Sequence, residues 1–366
     1  MSAGVTTMRP TDERGGYPSA SGFERLYLCR GSWNLEKDLP PERQTDDAYI
    51  GNLIHDALAK DNYSKLDDDD KDMAERCERQ RAALAKAMGF DEENITPIYE
   101  QRLWLMDDKL KPVLSGQFDY VLIQGERALL VDYKTGRGDV PESASNWQLR
   151  VGAVLLRDHF NVTSVTVAIV QPWVSSTPDV CEYGEEDLEK SRALIFEIVA
   201  ESRRTDAPRT PSLEACKYCR AKAVCPEAQG NVMAMAAVPS DIIARMDGDR
   251  LAVLLDKKPL VQKILDAIEA EAKRRLMEDS TSVHGWRLKV GAERRTITNA
   301  QAAFQRAGIP AEKFADCCTV KIAQLESAFA EARGIKKKDA KAALAEALGD
   351  VIEVKQSAPT LEREAA

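Results

Sequence analysis

Long apolar runs and histidines are both scarce in this chain. Three histidines among 366 residues argue against a zinc enzyme built on several imidazoles. No apolar stretch approaches the roughly 18–20 residues needed to cross a bilayer. The opening residues, MSAGVTTMRPTDERGG, lack the apolar segment of a secretory signal. A cytoplasmic location with no membrane partner is the expectation. Aromatic residues make up only 6%, and no stacking platform for bases is evident, so base-specific recognition is not expected. Internal repeats are not detectable. A net charge of −9 argues mildly against a broad nucleic-acid footprint, although an acidic body can carry a local basic channel.

Hydrophobic residues amount to 44%, enough for a packed core in one large domain or two ordinary ones. The acidic run Asp67–Asp70 reads as a solvated loop. Eight cysteines without a secretion signal do not imply a disulfide framework. Cys77, Cys181, Cys317 and Cys318 are scattered, whereas Cys216, Cys219 and Cys225 follow a C-x2-C-x5-C spacing. Such a group offers three soft thiolate ligands and needs a fourth from elsewhere.

Periodicity organises the first two thirds of the chain. From residue 50, Ile50, Leu53, Ile54, Ala57 and Leu58 form a helical stripe. Strand candidates follow at 97–105, 113–123 and 128–134, the last two joined by the hairpin spacer QGER. A helix is expected through SASNWQLRVGAVLLRD, a buried strand at SVTVAIVQPW and a second amphipathic helix over 185–204. This order points to an α/β domain with a mixed sheet. Residues 232–280 read as one or two long helices, GWRLKVGAERRTI as a short hairpin, and QSAPTLEREAA as a frayed tail.

The stretch ALLVDYKTGRGD places Leu130, Asp132 and Lys134 on one face of a strand and Val131 and Tyr133 on the other. A charged pair on an apolar strand is either a salt bridge or a reactive site. Asp119 lies one strand earlier, and a hairpin brings the two aspartates together. Converging carboxylates repel unless a cation lies between them, and their oxygens suit magnesium or manganese. A lysine on the same face then fits phosphodiester hydrolysis. His55, Glu100 and Gln148 each read, taken singly, as ordinary structural or solvated residues.

Taken in order, GNLIH, YEQRLWL, GQFDY, LLVDYKTG and NWQLR closely resemble the RecB-like branch of the PD-(D/E)XK nuclease superfamily. The resemblance covers about residues 18–230. It is narrowest to phage-associated RecB-type nucleases and to the iron–sulfur nucleases of CRISPR adaptation systems, with a looser likeness through HGWRLKVG and on to APTLE. It implies a restriction-endonuclease-like core with a mixed central sheet flanked by helices. By the same resemblance His55, Asp119, Asp132 and the Tyr133 carbonyl ligate Mg2+ or Mn2+, Lys134 is the catalytic lysine, and Glu100 is a supporting acid. Gln148 would be the glutamine of a Q-x-x-x-Y motif that contacts DNA. Here Gly152 stands where that motif has tyrosine.

The iron–sulfur branch clamps a 4Fe–4S cluster with one cysteine ahead of the core and three behind it. Cys29, in GFERLYLCRGSW, matches the first, and Cys216, Cys219 and Cys225 match the rest. Such a cluster would staple the ends of the nuclease domain. Zinc held by the same four cysteines, or reduced cysteines without metal, are the alternatives.

The sequence therefore carries the expectation of a metal-dependent DNA exonuclease in phage or bacterial recombination or repair, acting on single- or double-stranded ends. A strand-annealing or other recombination protein is a candidate partner. A nuclease-fold binding module without activity is the alternative, and an iron–sulfur redox protein a third. The expected organisation is a flexible segment 1–17, a nuclease domain 18–230 and a mainly helical region 231–366. Basic clusters such as Lys273, Arg274 and Arg275 are expected to be mostly solvated helix faces.

Overall fold

The computed structural model describes residues 14–37, 39, 45–243, 245–289, 297, 300–315, 317–318 and 321–349. The expected hairpin at 285–297 falls largely outside them, and the tail and the APTLE segment fall wholly outside. The chain divides into two units, Met1–Leu288 and Lys289–Ala366.

The first unit opens with short helices α1 (Phe23–Leu28) and α2 (Ser32–Glu36), then α3 (Asp46–Lys60) and α4 (Asp68–Ala87). Thr45 caps α3 by accepting the Ala48 N–H, and α4 begins at Asp67, whose carboxylate accepts the Asp70 N–H at 2.9 Å. The run Asp67–Asp70 is thus not a solvated loop but the cap and first turn of a helix, where carboxylates favour the positive end of the dipole.

Strands β1 (Gln101–Met106) and β2 (Pro112–Phe118) form an antiparallel ribbon. Strands β3 (Tyr120–Gln124), β4 (Arg127–Tyr133), β5 (Ser164–Val170) and β6 (Asp179–Tyr183) form a second sheet in that order. The sheet is mixed: β4 and β5 are parallel and the outer pairs antiparallel. Helix α5 (Trp147–Phe160) makes the crossover between the parallel strands, and α6 (Glu185–Ser202) follows β6. The hairpin between β3 and β4 turns at Gly125, whose φ of 61° lies in the left-handed region that glycine tolerates. The expected strand 113–123 is two strands, because the chain breaks at Asp119.

Alternation along β4 sorts its side chains into two cores. Leu130 packs with Leu149, Ala153 and Leu156 of α5 and Ile195 of α6. Leu129, Val131 and Tyr133 pack with Ile54 and Leu58 of α3 and Met73, Ala74 and Cys77 of α4. The sheet therefore lies between helices on both faces, the α/β arrangement with a mixed sheet flanked by helices.

Beyond the sheet come α7 (Pro226–Ala236), α8 (Ser240–Ile243) and the long α9 (Gly248–Glu278). Lys273, Arg274 and Arg275 on α9 pair with Glu269 and Glu271 of the same helix, so their charge is largely compensated. The second unit contains α10 (Ala300–Ala307), α11 (Ala311–Ala315), α12 (Ile322–Arg333) and α13 (Lys337–Leu348). Phe304 and Phe314 meet edge to face there, and Ala340 and Leu344 of α13 are buried. Among the described residues no helix is long and apolar enough to cross a membrane.

Candidate active site

The break at Asp119 is a corner. Phe118 pairs with Gln101 in the small sheet, while Val121 bridges Ile98 at the edge of the large one. Between these pairs Glu100 takes a left-handed φ of 48°, and its N–H donates to the Phe118 carbonyl at 2.9 Å. A non-glycine residue adopts this conformation only when its surroundings impose it. Here the turn of the ribbon aims Glu100 and Asp119 at one place.

His55 of α3 completes the group. Its Nδ1 lies 3.0 Å from Asp119 Oδ1, and the Tyr133 N–H donates to Asp119 Oδ2 at 2.7 Å. Ligand atoms of His55, Glu100 and Asp119 all lie within 4.8 Å of one another, the only such group of three or more among the described residues. Gln117, which sequence reasoning did not single out, donates from Nε2 to Glu100 Oε2 at 2.6 Å. Its place two residues before Asp119 puts it on the strand face that turns into the site.

Asp132 is buried at the end of β4 and is held from two sides. Gln148 Nε2 of α5 donates to Oδ1 at 2.7 Å, and Lys134 Nζ lies 2.7 Å from Oδ2. Gln148 sits in the first turn of α5, which Asn146 caps by accepting the Leu149 N–H. Lys134 follows β4 directly, with its N–H bonded to the Val170 carbonyl. The structure thus joins His55, Glu100 and Asp119 in one cluster and Asp132, Lys134 and Gln148 in a second. Tyr133 links them through its N–H.

The electrostatics are those of crowded, partly dry acids. Burial raises the Asp132 carboxyl above its usual range, with Lys134 opposing and Asp119 adding to the rise. Burial and then Asp119 push Glu100 up, against the Gln117 hydrogen bond. Burial pulls Lys134 down, but Asp132 more than compensates and its ammonium is held above the ordinary value. For His55, burial favours the neutral ring, yet the Asp119 hydrogen bond and the charges of Asp119, Asp132 and Glu100 win, and its pKa rises. A divalent cation fits this donor set: imidazole nitrogen and carboxylate oxygens, each oxygen with a lone pair left beyond its present bond.

Gly152 lies one turn after Gln148 and faces the sheet. A Cβ there would stand 2.8 Å from both Phe118 and Leu130. No tyrosine side chain fits at this position, and its absence lets α5 settle close enough for Gln148 to reach Asp132.

The cysteines of interest are all buried. Cys216 and Cys225 share a small apolar cluster with Ala228, Leu260 and Ile264. Cys29 lies on the N-terminal side of the domain, and its Sγ accepts the Thr210 N–H at 3.3 Å. Gly31 binds the Pro208 carbonyl, Asn34 the Ser202 carbonyl, and Arg220 the Glu36 carbonyl, so protein contacts already join these two ends. Among the described residues the four thiols do not form an ion-sized group. A single tetrahedral zinc would need its sulfurs about 3.8 Å apart, given Zn–S bonds of about 2.3 Å.

Residues 59–365 match a family described as "Protein of unknown function (DUF2800)". The chain belongs to the DUF2800 family. The matched part of this DUF2800 chain contains Glu100, Asp119, Asp132, Lys134, Gln148 and the cysteines 216, 219 and 225, and begins just after His55. No curated protein matches. Solved structures similar to it include SSO0001, at 14% identity and TM-score 0.33, covering 60% of this chain and 89% of that one. A "Putative exonuclease" from Eubacterium rectale is 13% identical at TM-score 0.36, covering 66% and 100%. An alkaline exonuclease from Laribacter hongkongensis is 10% identical at TM-score 0.25, covering 52% and 91%.

Proposed function

We propose that this chain is a divalent-metal-dependent DNA exonuclease of the RecB-like PD-(D/E)XK type, with residues 18–230 as the nuclease domain. One observation carries the reading. His55, Glu100 and Asp119 form one ion-sized group, and Asp132, Lys134 and Gln148 form a second, hydrogen-bonded one at the end of β4, with the Tyr133 N–H joining the two through Asp119.

In this reading His55, Asp119 and Asp132, with Glu100 and the Tyr133 carbonyl, hold Mg2+ or Mn2+. Such a cation supplies positive charge at a phosphodiester and lowers the pKa of water beside it. The Tyr133 N–H fixes one Asp119 oxygen, which aims the other at the cluster. Gln148 fixes the Asp132 carboxylate from the α5 side. Lys134, kept charged by Asp132, presents a cation to the phosphate under attack. Residues on rigid elements hold these groups in place before substrate binds.

Cys29, Cys216, Cys219 and Cys225 are proposed to hold a 4Fe–4S cluster, with zinc as the competing occupant. Four buried thiols from two segments already joined by hydrogen bonds support a soft metal group with a stapling role. Iron and acid-labile sulfide measured per chain, against zinc, separate the two. The proposed setting is the cytoplasm of a bacterial cell or phage-infected host, in DNA recombination or repair.

The test is degradation of end-labelled single- and double-stranded DNA with magnesium or manganese, parent against Lys134→Ala. Metal-dependent cleavage that falls at least about 100-fold in the variant is expected. Equal cleavage by both proteins would assign the activity elsewhere, and no cleavage by either would reject the nuclease reading.

A further inference from the structure

Trp173 lies in the loop between β5 and β6 with 46% of its surface exposed. The Arg137 guanidinium sits over its ring, 4.0 Å from the centroid, and the Arg76 guanidinium of α4 lies 5.9 Å from it. Arg76 is paired with Asp72. Arg137 has no ion pair among the described residues, so in a chain of net charge −9 it is an uncompensated cation on an exposed aromatic face.

The position is set by the site itself. Val170 pairs with Tyr133, and its carbonyl takes the Lys134 N–H. Trp173 follows Val170 by three residues and Arg137 follows Lys134 by three, so both lie within about 10 Å of chain reach from those neighbours. Gln171 Nε2 donates at 2.9 Å to the carbonyls of both Gly136 and Gly138. Gln80 of α4 donates to the Ser175 carbonyl at 2.9 Å. The two loops are therefore tied to each other and to α4, and the indole is held although it contributes little to the core.

An exposed ring with a guanidinium stacked on it, beside a phosphodiester site, has the chemistry to receive an unpaired base and its phosphate. Bases stack on aromatic rings and on arginine planes alike. A base pair inside a duplex keeps both faces against its neighbours and cannot use such a surface, and the terminal pair of a blunt end offers only its outer face. We propose that Trp173 and Arg137 form a stacking platform for an unpaired base of the DNA strand entering the site, which gives the chain a preference for single-stranded or frayed ends. This rests on the nuclease reading above and adds the substrate form.

The full chain carrying Lys134→Ala, in metal-free buffer, is titrated against a labelled single-stranded oligonucleotide and a blunt duplex by anisotropy. Adding Trp173→Ala should weaken single-strand binding about 5- to 150-fold, the range of a lost base–aromatic stack, with a smaller effect on the duplex. Trp173→Phe should restore most of it, and Arg137→Gln should reduce the salt dependence. Oligonucleotides lacking one base at successive positions should show a single sensitive position, and Trp173→Ala should abolish that sensitivity. Unchanged single-strand affinity in Trp173→Ala, or equal loss on duplex and single strand, overturns the platform. If Trp173→Ala melts early, the missing-base series on the Lys134→Ala chain decides, and no sensitive position overturns it. Cleavage by the parent with Trp173-independent binding would reject the platform alone. Trp173-dependent binding without any cleavage would reject the nuclease reading alone.

Discussion

Glu100 and Asp119 face each other across the corner where the β1–β2 ribbon turns onto the larger sheet, with ligand atoms inside one ion-sized group. The contact sets two acids against each other, and each other contact either relieves or redirects that repulsion. Gln117 donates to Glu100, His55 and the Tyr133 N–H share Asp119, and Glu100 is still driven toward its neutral form by burial and Asp119.

Replacing Glu100 with glutamine should therefore raise the metal-free melting temperature, by an amount equivalent to about 1 kcal/mol. The same variant should lose most of the stabilisation that Mg2+ or Mn2+ confers on the parent, which at a hundredfold excess over Kd is about 2.7 kcal/mol. Thermal melts with and without metal read both effects.

Gln148→Ala frees one oxygen of a buried carboxylate while leaving its α5 backbone in place. Activity should fall about tenfold or more, since an unsatisfied buried acceptor costs about 1–3 kcal/mol and Asp132 loses its fixed orientation. A kcat measurement alongside a melting curve separates this from general destabilisation, and unchanged kcat would remove Gln148 from the site.

At Gly152 even one methyl group is too many. Gly152→Ala should destabilise the fold by about 1–3 kcal/mol, because Phe118 and Leu130 must move from 2.8 Å contacts. Since that displacement also lifts Gln148 from Asp132, activity should fall with stability. Denaturant melts and cleavage rates measured on the same preparation test the link.

Gly31 is the corresponding point for the cysteine module. A Cβ there would stand 2.5 Å from the Ala207 carbonyl and from Arg209 Cγ, so Gly31→Ala should push the Cys29 segment away from residues 207–210. Loss of metal content at the cysteines together with a lower melting temperature is expected. Unchanged metal content would show that Cys29 is not part of that group.

The sequence by itself determined the elements around the site. Alternation in ALLVDYK set which side chains of β4 face each core, and the stripe from Ile50 set α3, because periodicity records which face is buried. It also singled out His55, Asp119, Asp132, Lys134 and Gln148, but it put Asp119 inside a single strand, whereas the chain breaks there into β2 and β3. Asp67–Asp70 misled because four acids in a row fit a solvated loop and a helix start equally well, and only the cap bond decides between them.

Tertiary structure alone decided the rest. Glu100 enters the ligand group through a positive φ that no local pattern announces. Gly152 is a packing requirement set by Phe118, thirty-four residues away in the chain. Trp173 and Arg137, unremarkable in a sequence with few aromatics, become one surface only because β4 and β5 run parallel and end side by side. Propensity acts over a few residues, whereas a corner, a close helix–sheet approach and a meeting of two loops depend on packing between elements distant in sequence.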